Sequence, residues 1–446
     1  MTFVTFDVDA LRERLPAYLA RQRWFAGSEP EKVEIAEEER LDDRLLWLLA
    51  DADGARYQLL LGAVAAEDVP EFLHGQEPSI VGVVNGSLVF DALLDAELAR
   101  IVADLVVPGH ESSHVRPVGA EQSNTSLVFD EQLVLKVFRR IHDGANPDVE
   151  VTRALASLGF EHVAAPIGVW ERDGRHLAVA QPFLAGASEG WALALTSLRD
   201  FYASDCDDPA ESGGDFGSEA ARLGEVTAGM HLAAAAAFGT QPAEAGEWAA
   251  SMSALLDRVG VGRPWLADAR AMVERVRALG SVGASTRVHG DYHLGQILRS
   301  DTGWFVLDFE GEPARPLEER RRPTSPLKDV AGMVRSFDYA VAVALRERGE
   351  DDLERCTPLG RRWEKHNRTS FLEAYLSTPG LEALLPPDVS DTMVALHAWE
   401  LDKAVYEVAY EEAHRPDWMS IPEEAIARIT SPPAEGFGRA GAGIPA

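Results

Sequence analysis

Two segments in the second half of the chain, RVHGDYHLGQIL and WFVLDFEGEP, combine acidic side chains with short apolar runs. Asp291 lies in the first, and Asp308 ends the apolar run of the second, so a hairpin-like pair of strands would present both carboxylates at one end. One such carboxylate can orient and deprotonate a hydroxyl nucleophile, while the other ligates a Mg²⁺ ion that bridges phosphate oxygens. Gln296 offers a neutral oxygen ligand, with His289 and His293 in support. The alternative is ordinary turn residues between core strands, but HGDxHxxQ followed by a strand ending in Asp favours phosphoryl transfer.

A lysine in an alternating apolar strand is the natural partner of this acidic motif. Lys136 lies in LVLKVF, where a buried ammonium requires an anion, and Glu150 on the next predicted helix could hold it towards nucleotide phosphates. The loop EQSNTS, residues 121–126, lacks the Gly-Lys signature of a P-loop but offers hydroxyls and backbone N–H groups for phosphate contact. Its candidate contact residues are Ser123, Asn124, Thr125 and Ser126. A strand-edge lysine is the ordinary interpretation of Lys136 alone; the downstream acidic motif favours the phosphate role.

The elements that must position these residues change in type along the chain. Residues 1–90 predict a small α+β cap, in which a segment with helical periodicity precedes strands separated by Asp-Gly and Asn-Gly turns. Residues 91–184 predict a β-rich portion, with a tight turn at 129–132 between two strands and a helix that starts near Asn146. Residues 185–446 predict a mostly helical portion, in which the two acidic segments form short strands with polar loops.

The composition excludes several classes of protein. The chain has 446 residues and a net charge of −31, so its field repels nucleic acid and anionic membranes, although a local pocket can still hold a nucleotide. Cys206 and Cys356 lie far apart without metal-ligand spacing, which favours a reducing cytoplasm. No apolar run is long enough to span a bilayer, and the first residues lack the pattern of a secretion signal. A cytoplasmic protein is therefore expected, with no inference about its oligomeric state.

The motifs together resemble a known group of kinases. HGDxHxxQ with a later Asp is similar to the aminoglycoside phosphotransferase-type kinases, in which HGDxHxxN or HGDxHxxQ replaces the HRD loop of protein kinases and the Asp replaces DFG. Actinobacterial maltokinases and glucosamine kinases are more similar still, over nearly the whole chain, in RQRWFAG, EQSNTSLVF, LKVFRR, NPDVE, GWALAL, HGDYHLGQIL, LDFEGEPARPLEER, SPLKDVAGMVRSFDYA and ELDKAVYEVAYE. The resemblance implies an α+β fold of the bilobal protein-kinase-like type with an extra N-terminal α+β cap. It also implies an ATP-dependent sugar kinase that uses Mg²⁺.

The resemblance assigns roles to the residues of the acidic segments. It implies that Asp291 is the catalytic base and that Gln296 and Asp308 are the Mg²⁺ ligands. Glu310 departs from the DFG pattern of protein kinases but fits the maltokinase-like form, and we include it among the candidate acceptor-binding residues.

The resemblance also assigns the nucleotide-binding residues. Lys136 would contact the phosphates, with Glu150 as its ion-pair partner. The segment QPFL, residues 181–184, falls where such kinases have the hinge that meets the adenine, so backbone contacts are expected there, with Gln181 and Phe183 as the candidate residues.

The acceptor pocket is expected beside Asp291, lined by the helical portion. In HAWELDKAVYEVAYEE, charged residues spaced by three, four and four share one helix face, and aromatic residues lie close to it. The charged residues are Glu400, Lys403, Glu407 and Glu411, and the aromatic residues are Trp399, Tyr406 and Tyr410. Aromatic rings beside carboxylates suit a sugar, and the carboxylates also suit an ammonium group. The alternative is a solvated helix face on which Lys403 offsets its neighbours.

The acceptor is the point on which the sequence leaves two candidates. Tyr292 stands where a typical maltokinase would be expected to have leucine, and His293 completes the acceptor set beside it. The acidic helix could recognise the amino group of glucosamine, so glucosamine kinase is favoured over a maltokinase that forms maltose 1-phosphate. An aminoglycoside-resistance kinase is disfavoured by the cap motif RQRWFAG. A pseudokinase is disfavoured because Lys136, Asp291 and Asp308 are all present.

Overall fold

The computed structural model describes residues 6–25, 27–119, 123–313 and 315–431, with the backbone alone at residues 350 and 351. Within it the chain divides into two compact units. The first comprises Met1–Ala156 and Ala164–Gly186, and the second comprises Ser157–Val163 and Ala187–Ala446.

The first unit contains two antiparallel sheets and four helices among its described residues. Its helices are α1 (Val8–Arg12), α2 (Leu15–Leu19), α3 (Ala96–Val106) and α4 (Pro147–Ser157). Its strands are β1 (Glu34–Asp42), β2 (Leu45–Ala52), β3 (Ala55–Ala65), β4 (Ile80–Val84), β5 (Ser87–Asp91), β6 (Val115–Pro117), β7 (Asn124–Phe129), β8 (Leu133–Phe138), β9 (Arg140–Ile141), β10 (Gly168–Arg172) and β11 (Arg175–Pro182). The cap sheet has the order β1-β2-β3-β5-β4, with β9 paired to β3, and the second sheet has the order β10-β11-β8-β7-β6.

The N-terminal segment with helical periodicity forms two short helices. Asp7 caps α1 by accepting a hydrogen bond from the backbone N–H of Ala10 at 3.1 Å. Pro16 lies in the first turn of α2. A backbone N–H at this position would have no partner within the helix, and the fixed φ of proline is close to the helical value. One continuous periodic pattern is therefore divided into two helices at the proline.

The predicted hairpin between β7 and β8 is confirmed and fixes the register of the lysine strand. Asp130 and Glu131 adopt φ values of +49° and +54° in the turn, a left-handed conformation that acidic residues tolerate better than branched ones. The resulting register places Ser126 opposite Lys136. The strand that carries the candidate phosphate lysine is thus paired with the strand that carries the candidate hydroxyls.

The second unit is mainly helical, as predicted. Its helices are α5 (Gly190–Ala203), α6 (Gly217–Phe238), α7 (Ala245–Val259), α8 (Leu266–Arg277), α9 (Leu317–Arg320), α10 (Leu327–Arg346), α11 (Glu350–Leu376), α12 (Val389–His414) and α13 (Ser420–Thr430). Its strands are β12 (Ser188–Glu189), β13 (Gln241–Pro242), β14 (Ala284–Ser285), β15 (Ile297–Ser300) and β16 (Gly303–Val306). The antiparallel pair of β15 and β16 is the hairpin-like unit expected between the two acidic segments. Across the described ranges, no helix is long and apolar enough to cross a membrane.

A buried carboxylate joins three helices of this second unit. Asp338 on α10 accepts hydrogen bonds from Arg335 at 2.6 Å, from Arg361 on α11 at 2.7 Å and from Arg428 on α13 at 2.5 Å. Burial alone would raise the pKa of Asp338, but the three arginines outweigh burial and lower it from 3.8 to about 2. The ionised carboxylate is therefore part of the packing between these helices.

The depressed pKa predicts a defined loss of stability in acid. Because the folded pKa is below the unfolded one, the contribution of Asp338 is present in full above about pH 5 and is lost as pH falls towards 2, and it is worth about 2 kcal/mol. We expect Asp338→Asn to destabilise the protein at pH 7 and to flatten the pH dependence of Tm between pH 5 and pH 2. Thermal unfolding at several pH values measures both. Asp257→Asn is the control, since the Asp257 side chain in its pair with Arg270 is 64% exposed; equal effects of the two variants would contradict the assignment.

Candidate active site

The loop that carries Asp291 follows β14 and requires a glycine. Gly290 has φ +88°, and a Cβ there would lie 3.3 Å from the Cα of Gly311. The close approach of the two glycines brings the HGD segment and the DFEG segment together. Asp291 then presents its carboxylate to Lys403 of α12, whose Nζ donates to Oδ1 at 2.8 Å.

His289 connects the two acidic segments through both of its ring nitrogens. Nε2 lies 2.8 Å from the carbonyl oxygen of Leu307, and Nδ1 lies 3.3 Å from the backbone N–H of Asp291. A carbonyl only accepts and a backbone N–H only donates, so the neutral tautomer with the proton on Nε2 fits both contacts. His289 therefore has the supporting position expected for it.

Helix α10 holds the loop from behind through a buried aspartate. The carboxylate of Asp329 accepts hydrogen bonds from the backbone N–H groups of His289 at 2.8 Å and Gly290 at 2.9 Å, and it contacts Nε2 of His231 at 3.1 Å. Burial would raise the pKa of Asp329, but His231, His289 and the Gly290 N–H together lower it. The negative charge is thus retained in the interior as the acceptor that fixes the loop backbone.

Two further residues on the same face of α10 contact the loop. A Cβ at Gly332 would lie 2.5 Å from the carbonyl oxygen of Tyr292, so the helix approaches the loop at a distance that only glycine allows. The hydroxyl of Ser336 accepts from the backbone N–H of Leu294 at 3.2 Å. The sequence analysis did not identify Asp329, Gly332 and Ser336. Their spacing of three and four in the apolar helix SPLKDVAGMVRS is the signal that could have found them.

The two predicted metal ligands lie next to each other. Nε2 of Gln296 is 3.4 Å from Oδ2 of Asp308, and the backbone N–H of Leu307 donates to the carbonyl oxygen of Gln296 at 2.9 Å. Asp308 has φ +60°, a left-handed conformation that costs energy for a non-glycine residue and is typical of functional sites. The backbone therefore turns sharply at the residue whose carboxylate the sequence predicts as a ligand.

A cleft in the second unit opens beside Asp291. It is lined by residues of the Asp291 loop, of the DFEGEP segment and of α10 and α12, namely Gly290, Asp291, Tyr292, Glu312, Lys328, Gly332, Trp399, Asp402 and Lys403. Lys403 also donates to Glu312 at 3.0 Å. Burial would lower the pKa of Lys403, but Asp291 and Glu312 raise it well above its ordinary value. A permanently charged ammonium thus bridges the two carboxylates.

Glu312 is a further residue of the site that was not predicted from the sequence. It is 2% exposed, lies 3.6 Å from Lys328 and is paired with Arg315 as well as Lys403. Burial opposes ionisation of Glu312, but the three cations lower its pKa far below the ordinary value. The signal that could have found it is its position in DFEGEP, two residues after Glu310.

In the first unit, Lys136 forms an ion pair with Asp148. Nζ lies 2.8 Å from Oδ2, and the two side chains are 12% and 4% exposed. Asp148 is the other acidic residue of NPDVE and was missed as a partner; the assignment of Glu150 stays a prediction. Glu150 lies in the first turn of α4, where its backbone N–H donates to the carbonyl of Asn146 at 2.9 Å.

The candidate phosphate loop is partly described. Glu121 and Gln122 lie outside the described residues. The amide of Asn124 donates to the Ser123 hydroxyl at 3.2 Å, and the Thr125 hydroxyl accepts from Nε of Arg139 at 2.8 Å.

The expected hinge residues have defined partners. The backbone N–H of Phe183 donates to the carbonyl of Gln132 at 2.8 Å, and the Phe183 ring lies 5.5 Å from the guanidinium of Arg116. The side chain of Gln181 donates to the carbonyl of Ala164 at 2.9 Å. The Phe183 N–H is therefore engaged within the unit, and the contact of Gln181 and Phe183 with a base stays a prediction.

The geometry and the family comparison agree. The sequence model described as the phosphotransferase enzyme family matches residues 114–364. The chain belongs to this family. A second model, the maltokinase N-terminal cap domain, matches residues 18–95, which confirms the predicted cap in this phosphotransferase.

Similar proteins and structures are named glucosamine kinases. The enzyme from Mycolicibacterium smegmatis is 28% identical over 334 residues, 70% of this chain and 78% of the relative. The enzyme from Streptacidiphilus jiangxiensis is 30% identical over 334 residues, 70% of this chain and 72% of the relative. A solved glucosamine kinase in complex with glucosamine, ADP and inorganic phosphate has a TM-score of 0.67 at 24% identity, over 96% of this chain and all of that chain. The predicted α+β kinase-like fold with an N-terminal cap is confirmed.

The acidic residues of helix α12 in this phosphotransferase do not form a solvated face. Glu400 is 4% exposed and accepts from Arg368 at 2.6 and 2.9 Å, while Glu407 accepts from Arg335 at 2.6 Å. Glu411 is also buried. The alternative of a solvated face is therefore wrong, because arginines from α10 and α11 cover these carboxylates.

The end of α12 carries a separate cluster. Glu411 accepts from the Tyr339 hydroxyl at 2.5 Å and from Arg415 at 2.6 Å. Tyr410 stacks on His414 with ring centroids 4.4 Å apart. The roles of Glu411 and Tyr410 in acceptor binding stay predictions, and each already has a protein partner.

Two aromatic residues of α12, Trp399 and Tyr406, lie near the Asp291 carboxylate or its partner Lys403. Trp399 lines the cleft, packs on Trp248 at 5.5 Å and is 6% exposed. Tyr406 lies with its ring centroid 5.0 Å from Nζ of Lys403. Both rings lie near the cleft or near Lys403, and their contact with an acceptor stays a prediction.

The side chain of Tyr292 is almost fully buried, although the residue lines the cleft. It is 1% exposed, and its hydroxyl lies 3.0 Å from the hydroxyl of Thr227 on α6, in surroundings whose burial raises the pKa of the phenol. The hydroxyl is thus directed into the core, and contact of Tyr292 with an acceptor stays a prediction.

The two remaining predicted acceptor residues also have local partners. His293 accepts from the backbone N–H of Gly295 at 3.0 Å, and burial lowers its pKa. The carbonyl of Glu310 accepts from Arg320 at 2.8 Å. Both lie in segments adjoining the predicted centre, and their contact with an acceptor stays a prediction.

Proposed function

We propose that this phosphotransferase is an ATP-dependent glucosamine kinase that forms glucosamine 6-phosphate. The observation that carries the proposal is the loop of Asp291, fixed by Asp329 and open to a cleft lined by α12, in a chain related over 70% of its length to named glucosamine kinases.

In this proposal Asp291 orients the acceptor hydroxyl and accepts its proton. The hydroxyl would approach Oδ2, because Lys403 already donates to Oδ1. Lys403 fixes the rotamer of the carboxylate through this hydrogen bond, and a fixed acceptor oxygen supports general-base catalysis and in-line attack. Trp399 offers a further contact, since its buried indole N–H makes no hydrogen bond within the described part of the chain.

Gln296 and Asp308 fit the role of magnesium ligands. Both provide oxygen atoms on adjacent side chains, and the Gln296 amide needs only to rotate to present Oε1, an orientation that the hydrogen-bond network decides. When bound, Mg²⁺ supplies charge neutralisation of the nucleotide phosphates. In the first unit, Lys136, held by Asp148, would add a cation towards the nucleotide phosphates, and the hydroxyl of Ser126, which lies opposite Lys136, would add a hydrogen bond.

Asp308→Ala is expected to weaken productive Mg-ATP binding. The variant removes the charged ligand and leaves the neutral amide alone, so we expect KM for Mg-ATP to rise and kcat to fall by about 10² or more. Titration of Mg²⁺ at fixed ATP measures the shift. Asp301→Ala, at an exposed position in the turn between β15 and β16, is the matched control; an unchanged Mg²⁺ requirement in Asp308→Ala refutes the ligand role.

A maltokinase that forms maltose 1-phosphate is the second candidate. The match to the maltokinase N-terminal cap domain supports it, and so does the charge balance of the cleft. Asp291, Glu312 and Asp402 line the cleft with Lys328 and Lys403, and Arg315 contacts both Glu312 and Asp402. Three carboxyl groups therefore face three cations, a balance that does not by itself require an ammonium group on the sugar.

The deciding experiment is a panel of acceptors with Mg-ATP and a coupled assay of ADP release. The panel contains glucosamine, glucose, maltose and kanamycin. We expect turnover with glucosamine and not with maltose, and the reverse result selects the maltokinase. If no sugar is phosphorylated and Asp291→Asn alters no turnover, the sugar-kinase proposal is refuted.

A further inference from the structure

The cap contributes to a buried ionic cluster in the first unit that the proposed chemistry leaves unexplained. Arg139, next to the end of β8, is 1% exposed. Its Nη2 donates to the carboxylate of Asp91 at 2.6 Å, and its Nε donates to the hydroxyl of Thr125 at 2.8 Å. A fully buried guanidinium is retained only where its partners compensate the lost hydration. One side chain therefore connects the cap sheet to the strand of the candidate phosphate loop.

The partners of Arg139 on the cap side come from distant parts of the sequence. Asp91 ends β5 and accepts from the backbone N–H of Leu93 at 3.1 Å, and the hydroxyl of Tyr18 lies 3.4 Å from its carboxylate. The ring of Trp24, in the motif RQRWFAG, has its centroid 5.2 Å from the guanidinium carbon. A cation over an indole ring is attracted to it, most strongly when desolvated. The cap motif thus takes part in the same cluster.

A second connection fixes the backbone around Arg139. The backbone N–H of Gln58 in β3 donates to the carbonyl of Arg139 at 2.8 Å. The fully buried Gln58 side chain donates to the carbonyls of Phe138 at 3.0 Å and Leu177 at 2.9 Å. The cap sheet therefore holds the backbone of Phe138 and Arg139, shortly after Lys136, and these contacts do not depend on the Arg139 side chain.

We propose that Arg139 is a positioning residue through which the N-terminal cap holds the candidate phosphate-binding strand in its nucleotide-competent conformation. The guanidinium of Arg139 holds Thr125 from one face of β7. Successive side chains of a strand point to opposite faces, so the neighbouring Ser126, which lies opposite Lys136, has its side chain on the other face. Loss of the cluster would loosen β7 and, with it, the Ser126 hydroxyl and the register with Lys136. The inference rests on the proposed nucleotide role of Lys136 and residues 123–126.

The test compares Arg139→Lys with Trp24→Leu in the full-length protein. Lysine keeps the positive charge but lacks the planar guanidinium that binds Asp91 and Thr125 at the same time. Trp24→Leu removes the indole ring and leaves the ion pair between Arg139 and Asp91 in place. We expect Arg139→Lys to raise the Kd of Mg-ADP and the KM of ATP about tenfold, with little change in the KM of the acceptor. Trp24→Leu should raise the Kd of Mg-ADP and the KM of ATP by a smaller factor. Hydrogen exchange of the β7 amides should rise in both variants. Arg44→Lys is the matched control, because Arg44 is a cap arginine whose acidic partners, Asp95 and Glu97, lie at the start of α3.

The outcomes separate this inference from the proposed function. Folded variants that keep the Kd of Mg-ADP and the exchange of β7 overturn the coupling. Equal rises in the KM of ATP and of the acceptor also overturn it, because a general loss of stability has no preference for the nucleotide. ADP binding needs no sugar, so a wrong acceptor assignment leaves the test intact. An unaltered protein that binds no ADP would overturn the nucleotide role and the coupling together.

Discussion

Replacing Asp291 with asparagine is expected to lower kcat by about 10²–10⁴-fold while leaving the fold intact. Asparagine has the shape of aspartate but cannot accept the proton of the acceptor hydroxyl. Lys403 would keep its second partner, Glu312, at 3.0 Å, so the ammonium is not left unpaired. Because the change affects proton transfer and not nucleotide contacts, the KM for ATP should stay within about threefold of the original value.

The control for Asp291→Asn is Asp301→Asn, which removes a carboxylate of the same chemistry from an exposed turn in the same unit. We expect wild-type turnover from it. Initial rates with Mg-ATP and glucosamine measure both variants. Full activity in Asp291→Asn would exclude this residue as the base.

Much of the framework was predictable because it depends on local sequence. The hairpin of β7 and β8 follows from alternating apolar residues around a turn, and the pair of β15 and β16 follows from two short apolar runs. The adjacency of Gln296 and Asp308 then results from the register of that second pair. Contacts between residues that are close in sequence, or that face each other across one hairpin, can be predicted from the sequence pattern.

The partners of these residues were less predictable, because they come from distant elements. The spacing in α12 correctly placed Glu400 and Glu407 on one helix, but it could not show that Arg368 and Arg335 would neutralise them from α11 and α10. Likewise, NPDVE offers two carboxylates to Lys136, and the choice of Asp148 depends on how α4 packs on β8. Long-range ion pairs are set by tertiary packing, which a single sequence does not specify residue by residue.

Replacing Asp329 with alanine is expected to reduce kcat by about 10²-fold or more, although this side chain is not assigned to the substrate. Two backbone N–H groups and the ring of His231 would lose their acceptor, and each buried unpaired group costs about 1–3 kcal/mol. Gly290 at φ +88° has little intrinsic preference for its conformation, so the loop would relax and Asp291 would lose its position. Thermal unfolding should show a lower Tm together with the lower kcat.

The stability loss must be separated from the positioning effect. Asp338→Asn disrupts a buried ionic cluster on the same helix without contacting the catalytic loop, so it should lower Tm and leave kcat within a few fold. A double variant provides the decisive comparison. If Asp329 acts only by placing Asp291, then Asp329→Ala in the Asp291→Asn background should reduce kcat little further, because the function it supports is already absent. Independent, multiplying losses would instead mean that Asp329 serves another step. The expected non-additivity follows from the geometry, since within the described ranges the hydrogen bonds from Asp329 to the loop end at His289 and Gly290, the two residues that precede the base.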